Sequence, residues 1–147
     1  MNYFAITAQP LEVAPLRARL VGPGAGAYAS FEGWVRDHSD GRAVLGLYYE
    51  AYPALAQAEG QRIVERAVGR FGLQGAACVH RVGELGLGEL AVWVGVSAGH
   101  RGPAFEACRW IIDEVKAQVP IWKRERYLEG DAGWRHPEEG RGGSPAG

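Results

Sequence analysis

Lysine is nearly absent from this chain. Of the 16 basic side chains among 147 residues, only Lys116 and Lys123 are lysines, and the other fourteen are arginines. Cysteine is equally scarce: Cys78 and Cys108 stand thirty positions apart, with no CxxC spacing and no flanking histidine pair. That argues against a zinc site or a disulfide framework and fits two buried, reduced thiols. No apolar run approaches the roughly 20 residues needed to span a bilayer. The opening Met1-Asn2-Tyr3-Phe4-Ala5-Ile6 lacks the basic segment and long apolar stretch of a signal peptide, so a cytoplasmic protein is expected. Net charge is −1, which removes the broad electrostatic footprint of a nucleic-acid or membrane-surface binder. Any anion recognition must therefore be local.

Several signatures are missing too. The Gly22-Pro23-Gly24-Ala25-Gly26 stretch is not GxGxxG, and it follows a helical pattern and precedes a strand, the reverse of a dinucleotide site. Neither a phosphate-binding GxxxxGK loop nor a GxSxG nucleophile elbow occurs. His80 lies in a strand pattern and reads as a structural histidine. Nothing argues for a metal or a resident cofactor.

What is present is an ordinary apolar share of 47%, enough for a real core in a chain of this length. Residues 2–7 read as a strand and Leu11 to Leu20 as a short helix. Ala27 to Arg36 reads as a second strand, Asp37 to Gly41 as a loop, and Val44 to Tyr52 as a third strand. Pro53 suits the first turn of a helix that Gly72 can end. Two strands, Ala76 to Val82 and Leu90 to Ala98, flank a glycine-rich link, Gly83 to Gly88. A long helix from Pro103 to Gln118 and a last strand from Ile121 to Tyr127 complete an α+β order. Residues 1–128 are expected to form one domain. Residues 129–147, rich in glycine, proline and charge, are expected to form a flexible tail.

The two lysines stand out by chemistry. An amine can lose its proton when desolvated or placed near other cations, whereas a guanidinium effectively cannot. On the last helix Phe105, Ile112 and Val119 share a face, and Lys116 falls on it, away from Arg109, Asp113 and Glu114. Lys123 lies between Trp122 and Arg124, where an apolar wall and a cation could act on it. At the other end of the same helix, His100-Arg101-Gly102-Pro103 closes a strand and opens the helix. Free N–H groups there favour phosphate or carboxylate, Arg101 adds a bidentate fork, and His100 adds a titratable donor.

Six blocks carry a specific resemblance. They are Phe31-x-Gly33-x-Val35-Arg36-x-His38, Tyr49-Glu50-x-Tyr52-Pro53, His80-Arg81-x-Gly83-Glu84-Leu85, Val94-Gly95-Val96-Ser97-x-x-His100-Arg101, Ala104-Phe105-Glu106-Ala107 and Pro120-x-Trp122-Lys123-Arg124-Glu125. In order, and over residues 3 to 131, they resemble the large, catalytic subunit of molybdopterin synthase. The resemblance implies an α/β hammerhead fold with an additional small antiparallel β lobe. It also implies a homodimer within a heterotetramer, with a small sulfur-carrier subunit at each end. That carrier would deliver sulfur as a thiocarboxylate on its C-terminal Gly-Gly, converting cyclic pyranopterin monophosphate to the dithiolene of molybdopterin. Lys123 and Lys116 match the family's catalytic lysines, and Arg36, His100, Arg101, Arg124, Glu125 and Phe31 match substrate-binding positions. The His100–Arg101 pair would come from the dimer mate. Trp34 departs from the pattern, standing where the family often has a lysine.

A non-catalytic α+β module that binds a phosphorylated ligand is the alternative. It would keep Arg36 and Arg101 but has no need of a deprotonatable amine. A third possibility, that the chain is itself a sulfur carrier, conflicts with its length and its Pro-Ala-Gly ending.

Overall fold

A run that opens with small and apolar residues, Gly-Ala-Ala-Cys-Val-His-Arg, is buried at every position and forms an inner strand of a four-stranded sheet. In the computed structural model, which describes residues 1–128 and the pair Gly130–Asp131, this run is β5 (Gly75–Arg81). It pairs in parallel with β1 (Asn2–Thr7) and antiparallel with β7 (Leu90–Ala98). β2 (Ala27–Trp34) closes the far side, giving the order β1-β5-β7-β2. A strand buried on both faces reads as a continuous apolar run, and both faces of this sheet are covered. The helices α2 (Pro53–Phe71) and α3 (Arg101–Gln118) pack on one face, over Phe4, Cys78, Val92, Val94 and Val96. The short helix α1 (Val13–Ala18) and Leu20 cover Ala77, Val79 and Trp93 on the other.

The helix ends follow local chemistry. Pro53 occupies the first turn of α2, and Gly72 ends it in the left-handed region at φ 64°. Gly60 lets α2 sit directly on the sheet, since a Cβ there would lie 2.3 Å from the Phe4 ring. The outer edge of β1 is closed by side chains of the same helix: Gln61 accepts from the Phe4 N–H at 3.0 Å and donates to the Asn2 carbonyl at 2.8 Å. Gln57 donates to the Phe4 carbonyl. These bonds occupy backbone groups that an open edge would offer to another strand.

The second sheet is antiparallel and centred on β4 (Arg42–Ala51). One edge of β4 pairs with β8 (Ile121–Tyr127), and β9 (Gly130–Asp131) adds outside β8. The other edge pairs with β3 (His38–Ser39) and β6 (Gly83–Gly86). Two layers result: a helix-covered mixed sheet, and a small antiparallel lobe set against its end. This is the α+β hammerhead arrangement with the added lobe.

The structure amends the expected elements in six places. α1 is only six residues, Val13–Ala18. β2 stops at Trp34, leaving Arg36 beyond it. The expected loop at 37–41 is a tight hairpin, because Asp40 (φ 50°) and Gly41 (φ 75°) both take the positive φ that a two-residue turn between twisted strands requires. The glycine-rich 83–86 is a strand, with Leu85 buried against β4. α3 begins at Arg101, two residues before Pro103. Gly130–Asp131, in the expected tail, pairs with β8; Glu129 and residues 132–147 lie outside the described residues. Among the described residues no helix is long and apolar enough to cross a membrane.

Candidate active site

β8 alternates strictly, with Ile121, Lys123, Glu125 and Tyr127 buried and Trp122, Arg124 and Arg126 on the other face. A period of two thus puts a lysine, a glutamate and a tyrosine side by side inside the protein. It also corrects one expectation: Trp122 and Arg124, adjacent in sequence, project away from Lys123. Lys123 Nζ lies 3.4 Å from Glu125 Oε1, and both side chains are fully buried. Tyr127 Oη donates to Glu125 Oε2 at 2.6 Å. Burial opposes the charge on each member of the pair, while their mutual attraction and the hydrogen bond favour it.

Across the strand pair, Tyr49 of β4 is the register partner of Lys123. Burial, and then the charge of Glu125, push its phenol far above the usual range, so it stays protonated. The Tyr49 ring meets His80 edge-on, centroids 4.8 Å apart. His80, at the end of β5, lies 2.7 Å through Nδ1 from the Arg81 carbonyl, a contact that only a protonated Nδ1 can make as a hydrogen bond. Its pKa falls to about 4, chiefly through burial and partly through the charge of Lys116, against the opposing effect of the backbone bond. The imidazole is therefore neutral near pH 7. The structural role read from the sequence holds, yet His80 also lies within the electrostatic reach of Lys116.

Lys116 is half-buried on the wall of a cleft of about 350 Å³ between α3 and β2. Phe31 forms the β2 side, and Phe105, Arg109, Ile112 and Asp113 line the helix side. The stripe inferred from sequence is divided: Ile112 and Val119 are buried in the core, whereas Phe105 is 66% exposed and lines the cleft with Lys116. Cys108 borders the same cleft, its thiol pushed up to about 11 by burial, and Cys78 is free and buried as well. Among the described residues no cluster of three or more His, Cys, Asp or Glu could hold a metal.

The remaining candidates separate into two groups. Phe31 shares the cleft with Lys116, and Glu125 shares the interior with Lys123. Arg124 lies on the outer face, its guanidinium 5.9 Å from the Tyr48 ring. Arg36 is half-buried just past β2. His100 and Arg101 are exposed at the start of α3, His100 as an N-cap without a side-chain capping bond. Fifteen residues of helix at 1.5 Å each place Arg101 roughly 22 Å from Lys116. A single chain does not bring the two halves together. Sequence reasoning passed over Tyr49 and Tyr127 as site residues; the alternation of Ile121 to Tyr127 was the signal for Tyr127.

Residues 6–118 match the family model described as MoaE protein. The chain belongs to the MoaE family. It is 43% identical over 133 residues to the molybdopterin synthase catalytic subunit of Thermoplasma volcanium, covering 90% of this chain and 97% of that one. It is 48% identical over 115 residues to the same-named protein of Oryza sativa subsp. indica, spanning 78% of this chain and 59% of the longer rice protein. In three dimensions this MoaE chain superposes on the crystal structure of molybdopterin synthase from Staphylococcus aureus with a TM-score of 0.83 at 31% identity. That match covers 88% of this chain and 94% of the other.

Proposed function

We propose that the chain is the catalytic subunit of a molybdopterin synthase, an enzyme of molybdenum cofactor biosynthesis acting in the cytoplasm. It converts cyclic pyranopterin monophosphate to molybdopterin with sulfur from the C-terminal thiocarboxylate of a small carrier subunit. The observation that carries this reading is the fully buried Lys123–Glu125 pair on β8, in a chain whose α3–β2 cleft presents Lys116 and Phe31. A phosphate-binding module has no use for a buried amine held by a carboxylate.

In this reading Lys116, on the cleft wall, orients the incoming thiocarboxylate so that its sulfur faces the pterin. Lys123, enclosed in the single chain, becomes accessible as the carrier tail enters and moves protons during each transfer. Arg36, His100 and Arg101 hold the substrate phosphate, with Arg124, Glu125 and Phe31 completing the pocket. The distance between Arg101 and Lys116 along α3 supports a homodimer within a heterotetramer, each pocket taking its His100–Arg101 pair from the mate.

Replacement of each lysine by arginine separates enzyme from binding module. Lys116→Arg keeps the charge and the fold and is expected to lower turnover at least about 100-fold, the scale of a lost general acid–base or positioning amine. Unchanged turnover in both Lys116→Arg and Lys123→Arg, with pterin phosphate still bound, would favour the module.

A further inference from the structure

Three polar side chains lie on the inward face of β8, and the reaction as proposed uses two of them. The third is Tyr127, 4% exposed, the last residue of the strand. We propose that Tyr127 is a positioning residue for Lys123, acting through Glu125: its hydroxyl holds one carboxylate oxygen so that the other faces the amine. This rests on the reading that Lys123 carries chemistry.

The geometry is a relay along one strand face. Residues two apart on a strand share a face, so Tyr127, Glu125 and Lys123 form a row. Tyr127 Oη binds Glu125 Oε2 at 2.6 Å, within the short range of a bond to an ionised acceptor, while Oε1 of the same carboxylate lies 3.4 Å from Lys123 Nζ. The longer contact is the adjustable one, since rotation of the carboxylate would lengthen or shorten it. The tyrosine fixes that rotation. Its own ring is fixed in turn, because the Arg42 guanidinium sits 3.7 Å from the ring centroid. Burial, and then the carboxylate it binds, raise the phenol's pKa, outweighing the lowering by Ser39 and Arg42, so the donor stays protonated over the working range. Among the charged and titratable groups facing Glu125 are Lys123 and Tyr127 from β8 and Tyr49 from β4, with Arg42 packed on the Tyr127 ring. Phenylalanine would satisfy the packing under Arg42 equally well. The hydroxyl serves two buried polar neighbours, the Glu125 carboxylate and Ser39, and of these only the carboxylate faces Lys123.

Because the chain has two lysines, a protein labelled with 15N at lysine Nζ gives two side-chain signals, and Lys116→Arg identifies which is which. In Tyr127→Phe the anionic carboxylate loses a donor, which favours the neutral form of the Lys123–Glu125 pair. The Lys123 signal is expected to titrate lower by about half a unit or more, with Lys116 unmoved. In turnover the same variant is expected to lose about tenfold in kcat, with KM for the pterin within about twofold, the pattern of a lost reacting-state interaction. In a Glu125→Gln background Tyr127→Phe is expected to add nothing further. Site-specific 3,5-difluorotyrosine at position 127 keeps the shape and strengthens the donor, and it shifts the Lys123 signal the opposite way, which covers the case of a phenylalanine variant that does not fold. A Lys123 signal unmoved by both replacements would overturn the inference, as would a Tyr127→Phe effect that persists in Glu125→Gln. If the wild-type protein makes no dithiolene, the proposed function fails, and the two lysine signals still decide the role of Tyr127.

Discussion

At the scale of single residues, Lys123 is the proposed reacting amine and is completely buried, and the two properties have different energetic signatures. Removing one partner of a buried ion pair leaves the other charge uncompensated. Lys123→Ala is therefore expected to cost about 3–5 kcal/mol in denaturant unfolding. A cost below about 1 kcal/mol would mean that Glu125 carries no charge in the fold or reaches water. Lys116 is half-buried on the cleft wall, and amine-selective labelling of the folded chain should modify it well before Lys123. His80 gives a pH signature of its own. Its folded pKa of about 4 lies below the ordinary 6.5, so between those values the unfolded chain binds more protons than the native one. The stability it contributes is complete above pH 6.5 and is lost as pH falls toward 4, by about 3 kcal/mol in all. Unfolding curves at pH 7 and pH 4.5 should show that drop in the wild type and a flatter response in His80→Gln. An equal drop in both would place the acid sensitivity elsewhere.

At the scale of elements, the core helices were legible and the second lobe was not. Pro53 and Gly72 bracket α2 by their own backbone preferences, and the continuous small-apolar run of β5 follows from burial on both faces. β6 could not be read, because Gly83 to Gly86 resembles a breaker and its pairing depends on β4, almost forty residues earlier. The hairpin at Asp40-Gly41 was legible in principle, since Asp-Gly is a strong two-residue turn signal. Of the site, chemistry and composition singled out Lys116 and Lys123. The inward row Lys123, Glu125, Tyr127 needed only the period-two reading of β8. Tyr49 and His80 needed three dimensions, because they come from other strands. One element-level packing contact is open to direct test. Gly60→Ala improves helix propensity by about 1 kcal/mol yet drives a methyl into the Phe4 ring, and overpacking of this kind costs about 1–3 kcal/mol. A lower Tm is expected; an unchanged or higher one would show that α2 can move off the sheet freely.

At the scale of the whole molecule, the long helix α3 separates two halves of the proposed pocket, with Lys116 near its end and Arg101 at its start. If each pocket joins the lysines of one copy to His100 and Arg101 of another, two inactive variants can repair each other. Mixing Lys116→Ala with Arg101→Ala, after subunit exchange, should restore one intact pocket per hybrid dimer and about a quarter of wild-type activity, given random exchange. No recovery from a mixture shown to contain hybrids would place the whole pocket in one copy. The claim beneath all of this is that the chain installs sulfur. A single-turnover reaction of the purified protein with thiocarboxylated carrier and cyclic pyranopterin monophosphate tests it most directly. The prediction is dithiolene product from the wild type and at least about 100-fold less from Lys116→Arg. A wild type that binds both partners and forms no dithiolene would contradict it.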